Sequence, residues 1–325
     1  MRSLVLAVSL ILLVVPLVPD VHPAEKVYRI GLLIGGADVT RSPWIDGFRQ
    51  GLREQGYAEG KNVVIDRRVA EGRAERLPEL AAELVSLKPD VIVAATTPGA
   101  LAAKNATSTI PIVVVAVGDP VGAGLVQSLA QPGGNVTGVS LVNVEFSGKR
   151  LQLLKDAIPR VSTVAFLWNP LNPLNAAVLK ETEAAAATLR VRLEPIAARA
   201  PEDIPPALSE ATAKRVHALL VAPDSMLLLH RKAVIDFAAA NRLPAMYNFL
   251  EEAESGGLMS YGTDLHDTYR RGATLVGKIL KGAKPANLPV EQSPRLRLVI
   301  NLRTAKALGL TMPPSVVARA DQVIE

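Results

Sequence analysis

The sequence predicts an α/β fold of two doubly wound parallel-sheet lobes joined by hinge strands. Three observations point there. Short, continuous apolar runs such as Val91 to Ala95 and Ile112 to Val117 alternate with stretches whose apolar residues recur at helical spacing. That is the pattern of parallel strands covered by helices on both faces. The alternation starts again after Leu141. Both halves also contain a helix running into a proline and then a strand, at Ile110-Pro111-Ile112 and Leu243-Pro244-Ala245.

Residues 1–24 stand apart. Arg2 precedes an apolar run from Leu4 to Val18, prolines follow at 16, 19 and 23, and Ala24 comes before the charged Glu25-Lys26. This reads as a secretory signal peptide, with an uncleaved anchor as the alternative because His22 at the −3 position is not small. The first lobe is expected over 27–141 plus about 263–290. It has strands at Tyr28 to Ile34, Val63 to Ile65, Val91 to Ala95, Ile112 to Val117 and Val136 to Leu141. Pro43 to Gln55 carries a helical stripe of Trp44, Ile45, Phe48 and Leu52, and a second stripe runs from Leu77 to Val85. The second lobe is expected over 142–262 plus about 291–325. Its strands are Val164 to Leu167, Val191 to Ile196, Ala218 to Val221, Ala245 to Tyr247 and Leu258 to Ser260. Helices are expected at Asn175 to Leu189, Ile204 to Ala213 and around Ala233 to Phe237. The tail adds a helix from Leu265 to Leu280, a crossing segment near Pro289 to Gln292 and a strand from Leu296 to Ile300, which makes three crossings between the lobes.

Ligands of open parallel sheets lie beyond the carboxyl ends of the strands. The sequence marks those ends with a short polar residue before proline at Ser42-Pro43, Thr97-Pro98, Asp119-Pro120 and Asn172-Pro173. This is the signature of an N-cap followed by proline in the first helical turn, and it aims free N–H groups at the strand ends. Such ends suit a carboxylate, although each residue is equally explained as a cap. Thr96, Thr97 and Gly99 are the expected carboxylate site: two hydroxyls and a helix start without a side chain in the way. The chain has only two Trp, five Tyr and five Phe. Trp168, Tyr247 and Tyr261 fall at strand ends, where they either stack on a ligand or pack, while Trp44 and Phe249 are expected to pack beneath loops. Asp224 follows a strand and either pairs with an ammonium group or caps the next helix through Ser225.

Composition removes several function classes. The formal net charge is +5 with scattered basic residues, so no stripe for nucleic acid exists. Cysteine is absent, which excludes disulfides, thiolate chemistry and a lipid anchor on cysteine. None of the four histidines forms an H-E-x-x-H pair, and no phosphate-loop or complete dinucleotide fingerprint is present. No cofactor, no metal and no catalytic set are expected. The reading is a monomeric, exported receptor for a small solute. A ligand-sensing regulator and an enzyme on the same fold are the alternatives, but the first needs a DNA-binding helix pair where the apolar leader stands.

Several segments resemble the bacterial ABC-transporter substrate-binding proteins of the tryptophan/tyrosine-binding type. They are Tyr28-Arg29-Ile30-Gly31, Phe48 to Arg53, Gly56-Tyr57 with Glu59 to Asn62, Ile110 to Val113, Gly118 to Val121, Pro132 to Gly138, Trp168 to Pro170, Gly257 to Gly262 and Ile279 to Pro285. The resemblance runs from about Tyr28 to Glu325. It implies a type I periplasmic-binding-protein fold that closes by hinge bending, an amino-acid-like ligand, and an ABC permease with its ATPase subunits as partner. It implies ligand-binding residues at Gly35, Thr96, Thr97, Gly118, Asp119, Trp168, Asn169, Asp224, Tyr247, Asn248 and Tyr261. Gly118 departs from relatives that carry Thr there, which implies a different or weaker contact at that point.

Overall fold

The structure is a computed structural model that describes residues 26–36, 43–141, 144–293 and 296–325. The expected signal peptide lies outside the described residues, as does Ser42. In chain order the first half runs β1 (Tyr28–Ile34), α1 (Pro43–Glu54), β2 (Val63–Val69), α2 (Leu77–Ser86), β3 (Val91–Ala95), α3 (Thr96–Ala106), β4 (Ile112–Val117) and β5 (Val136–Ser140). The second runs α4 (Ser147–Ala157), β6 (Thr163–Trp168), α5 (Pro173–Leu189), β7 (Arg192–Ala197), α6 (Ile204–Ala213), β8 (Ala218–Val221), α7 (Ser225–Leu229), α8 (Arg231–Ala240), β9 (Ala245–Tyr247), α9 (Leu250–Glu254) and β10 (Met259–Thr263). The tail is α10 (Leu265–Leu280), β11 (Glu291–Gln292), β12 (Leu296–Asn301), α11 (Leu302–Ala307), α12 (Pro314–Val317) and β13 (Gln322–Ile324).

The strands form two sheets, ordered β11-β5-β4-β3-β1-β2 and β13-β12-β10-β9-β8-β6-β7. Pairing is parallel throughout the first sheet, and in the second only β10 and β12 run antiparallel. The apolar runs become strands because helices cover both faces. All five residues of β3 are buried, and the alternate faces of β1, β3 and β4 feed two separate cores. The same plan repeats in the second sheet, where β6 and β8 feed two more. In each sheet the order reverses at one point, between β1 and β3 and between β6 and β8. Those reversals are where an open α/β sheet leaves a crevice.

The tail crosses between the sheets. Helix α10 packs along α1, and two glycines on one face of α1 permit the approach. A Cβ at Gly47 would run into the carbonyl of His266, and one at Gly51 into that of Arg270. Strand β11 then pairs with β5, so Glu291 and Gln292 join the first sheet, just past the expected boundary at about 291. Strand β12 joins the second sheet beside β10. Along its described course the chain therefore changes sheet three times.

Three local expectations are corrected. Asp119-Pro120 starts a turn, not a helix: the Asp119 carboxylate accepts from the Gly122 N–H at 2.8 Å and closes the loop on itself. Thr97 is not an N-cap, because α3 already begins at Thr96 and its cap position, Ala95, makes no side-chain bond. Helix α4 is not among the expected elements, α7 only as the helix that Asp224 caps through Ser225, and α9 not at all. The latter two have five residues each, too few for a periodic stripe. Among the described residues no helix is long and apolar enough to cross a membrane.

Candidate functional site

A cavity of about 390 Å³ lies between the two sheets, within the size range of small-molecule sites. It opens where both sheet orders reverse. Gly35 and Gly36 follow β1, and Thr96 and Thr97 follow β3. From the other side Asn172 follows β6, and Asp224 and Ser225 follow β8. The two lobes touch here: a Cβ on Gly35 would lie 3.2 Å from the Ser225 hydroxyl and 3.3 Å from that of Thr96. Leu141, Leu228, Phe249 and Leu265 form a small apolar cluster with Trp44 and Ala116, drawn from both lobes.

The first lobe supplies hydroxyls. Thr97 is buried, and the Oγ1 atoms of Thr96 and Thr97 are both buried without a hydrogen-bond partner among the described residues. They sit at the N-terminus of the 11-residue α3, whose first N–H groups lack intrahelical acceptors. Gly99, in the same turn, is buried and leaves the approach open, with only the Thr96 hydroxyl near its missing Cβ. Thr96 holds φ +67 and Ala116, also on the cavity wall, φ +57. Ala116 lies where the register of β4 against β5 slips. Left-handed backbone at a β-branched residue is strained by about 1–3 kcal/mol, and such strain gathers at binding sites.

The second lobe supplies a carboxylate that the protein itself saturates. Asp224 Oδ1 accepts from the N–H groups of Met226 and Leu227 at 2.8 and 3.2 Å, capping α7. Its Oδ2 accepts from the side-chain amides of Asn172 at 3.0 Å and Asn169 at 3.3 Å. Burial raises the Asp224 carboxyl above its ordinary value, against the lowering effect of those hydrogen bonds. Asn172 in turn caps α5 by accepting from the Leu174 N–H.

The remaining wall is aromatic and acidic. Trp44 and Tyr269 stack at 6.3 Å with a 32° tilt. Trp44, Tyr269 and Phe249 all line the cavity, so Trp44 and Phe249 do more than pack beneath loops. The Trp44 indole N–H donates to Oε1 of Glu251, linking α1 to α9 across the cleft, while Glu251 Oε2 is buried without a partner among the described residues. Burial raises the Glu251 carboxyl against the lowering effect of hydrogen bonds from its own N–H and the Trp44 indole, and the negative charges of Glu254 and Asp264 add to the rise. Next to it, Glu252 accepts from the N–H groups of Asn248 and Phe249, and burial pushes its carboxyl up to about 7. Arg231 reaches the cavity from α8, with its guanidinium donating to the Ser255 hydroxyl and the Leu228 carbonyl.

Of the residues expected to bind ligand, Gly35, Thr96, Thr97 and Asp224 line this cavity, and Gly99 stands in the first turn of α3. The others lie elsewhere. Gly118 and Asp119 line a separate hollow of about 350 Å³, and a Cβ at Gly118 would overlap the Leu174 side chain. A threonine there has to displace the end of the Leu174 side chain. Trp168 packs against the second-lobe core. Asn169 lies behind the cavity and braces Asp224. Tyr247 is buried in the core of the second lobe, Asn248 donates to the Val221 carbonyl, and Tyr261 packs edge-on against Phe146 at 6.1 Å. Sequence reasoning missed Asn172 as a lining residue, and also Ser225, Arg231, Glu251 and Tyr269. Tyr269 stands four residues after Leu265, a helical spacing that could have placed both on one face of α10.

Comparisons with known proteins agree with this architecture. A family model described as ABC transporter substrate binding protein matches residues 39–324. A tyrosine-binding protein of Clostridioides difficile is 29% identical over 282 residues, 85% of this chain and 81% of that protein. The crystal structure of an ABC domain from Streptococcus pneumoniae in complex with L-Trp is 31% identical and superposes with a TM-score of 0.85, covering 92% of this chain and 100% of that one. The ligand-free, open structure of a substrate binding protein with adhesive properties from Clostridium difficile is 28% identical, covers 92% of this chain and 99% of that one, and gives 0.64. The family matched is one of substrate-binding proteins and not one of enzymes.

Proposed function

We propose a function from one premise: the chain belongs to the family of ABC transporter substrate-binding proteins. The ligand is an α-amino acid with a large apolar or aromatic side chain, held between the lobes and delivered to an ABC permease. The observation that carries this reading is the pair of buried, unpartnered hydroxyls of Thr96 and Thr97 at the start of α3. Unpaired buried polar groups are costly, and a carboxylate supplies the missing acceptor while the helix N-terminus favours its charge. Gly99 keeps that approach clear. Trp44, Phe249, Tyr269 and the leucines around them supply an apolar chamber for the side chain. The ligands named for the C. difficile and S. pneumoniae proteins, tyrosine and L-Trp, are of this class.

The protein acts as a monomer outside the cytoplasm, exported by residues 1–24, and performs no catalysis. It closes by rotation of the lobes about the crossing segments. The likeness to the L-Trp complex exceeds that to the open, ligand-free structure, which supports reading the present arrangement as closed. Ligand stabilises that form only through its differential affinity for it. Native mass spectrometry of protein expressed with its leader and recovered from the periplasm tests the proposal. The expected result is a monomer that carries, or takes up in equimolar amount, L-tryptophan or L-tyrosine. Retention of neither at millimolar concentration contradicts it.

A further inference from the structure

We propose that Glu251 is the counter-ion for the ligand's α-ammonium group and the residue that selects amino acids over their desamino analogues. This rests on the amino-acid reading above. An ammonium group enclosed between the lobes must be paired, because burying it alone is prohibitively costly. It brings donors and no acceptor, so it needs a carboxylate with oxygen to spare. Among the described residues lining the cavity the carboxylates are Asp224 and Glu251. Asp224 is spent. Its Oδ1 takes two backbone N–H groups and its Oδ2 two side-chain amides, which fills the four acceptor positions of a carboxylate. Glu251 is only partly spent: the Trp44 indole holds Oε1 and the residue's own N–H leans on the carboxyl, but Oε2 is buried and accepts no hydrogen bond from another described residue.

The surroundings suit a cation. Glu254 and Asp264 add negative charge around Glu251, and the stacked rings of Trp44 and Tyr269 stand beside the site. Because Trp44 belongs to α1 and Glu251 to α9, an ammonium on Oε2 is held by the same carboxylate that ties the lobes together. Binding of the amino group and closure are thereby joined at one residue.

The test is calorimetric titration of two probe pairs, L-tryptophan with indole-3-propionate and L-tyrosine with 3-(4-hydroxyphenyl)propionate, into the wild type, Glu251→Gln and Glu251→Ala. Gln keeps an acceptor for the Trp44 indole and removes the charge, and thermal unfolding checks that each variant is folded. In the wild type the amino acid of at least one pair is expected to bind about tenfold or more tighter than its desamino partner. In Glu251→Gln its affinity falls by about thirtyfold or more, while that of the desamino acid changes by less than about threefold. Glu251→Ala, which also frees the indole, loses the preference as well. A wild type indifferent to the amino group, or a folded Glu251 variant that keeps the full preference, overturns the proposal. A wild type that binds no member of either pair overturns the amino-acid reading itself.

Discussion

Replacing Thr97 with Val separates ligand binding from folding, because the hydroxyl bonds to nothing among the described residues. The side chain is buried and its Oγ1 has no partner. Valine keeps the shape and the branching. Removing an unsatisfied buried hydroxyl relieves a desolvation cost of roughly 1–3 kcal/mol, so the ligand-free variant is expected to unfold at the wild-type temperature or above. The bound state loses a hydrogen bond to a charged acceptor, worth about 1.5–3 kcal/mol. At 1.4 kcal/mol per decade that is a loss of affinity of about 10- to 150-fold. Differential scanning calorimetry without ligand and isothermal titration with L-tryptophan or L-tyrosine read the two quantities independently. A variant with a lowered unfolding temperature and unchanged affinity refutes the reasoning and returns Thr97 to a purely structural role.

The other expectations concern strain, helix contact and pH. Thr96→Gly relaxes the φ of +67 at the cost of a more flexible unfolded chain, so stability is expected to stay within about 1 kcal/mol by denaturant titration, while ligand affinity falls at least tenfold. Gly51→Ala forces a methyl against the Arg270 carbonyl, and overpacking of about 1–3 kcal/mol against a helix-propensity gain of about 1 is expected to lower the melting temperature by a few degrees. Glu252 sits at about 7 in the folded protein, above its ordinary 4.5, so the folded state holds its proton longer. Stability is therefore expected to fall as pH rises from about 4.5 to 7, by up to about 3 kcal/mol, and chemical denaturation at pH 5 and 7.5 should show a smaller fall in Glu252→Gln. The Glu251 carboxyl is also raised, chiefly by burial, against hydrogen bonds from its own N–H and the Trp44 indole and with Glu254 and Asp264 adding to the rise; Glu252 and the Tyr269 phenol feel its charge, and Arg231 shares the cavity wall. An ammonium ligand favours its charged form, so affinity is expected to weaken as pH drops below the raised value, with proton release seen as buffer-dependent heat.

Both sheets were legible because their central strands are buried on two faces and read as unbroken apolar runs, whereas edge strands such as β2 and β7 carry charged, exposed residues. Val91 to Ala95, Ile112 to Val117 and Ala218 to Val221 coincide with β3, β4 and β8. The strand-end location of a ligand followed from the same runs, and with it Thr96, Thr97 and Asp224, while Gly35 came from the family resemblance; all four line the cavity. Asp119 misled because the Asp-Pro pair that often opens a helix here closes a turn onto Gly122. Tyr247 misled because a strand-end aromatic has two faces to choose from, and it chose the core. Glu251 and Arg231 stayed hidden for a different reason. They sit on helices α9 and α8 that reach the cavity only through tertiary packing, and no spacing in the sequence records that approach.

The most direct test of the central claim is to titrate the protein with L-tryptophan and with its methyl ester under identical conditions, and to repeat the comparison with L-tyrosine. The ester keeps the ring and the amino group, removes the charge that Thr96, Thr97 and the start of α3 are placed to receive, and adds one methyl group at that end. The expected result is equimolar binding of the acid with an affinity at least tenfold above that of the ester. Equal binding of acid and ester contradicts the assignment of α3 as the carboxylate site.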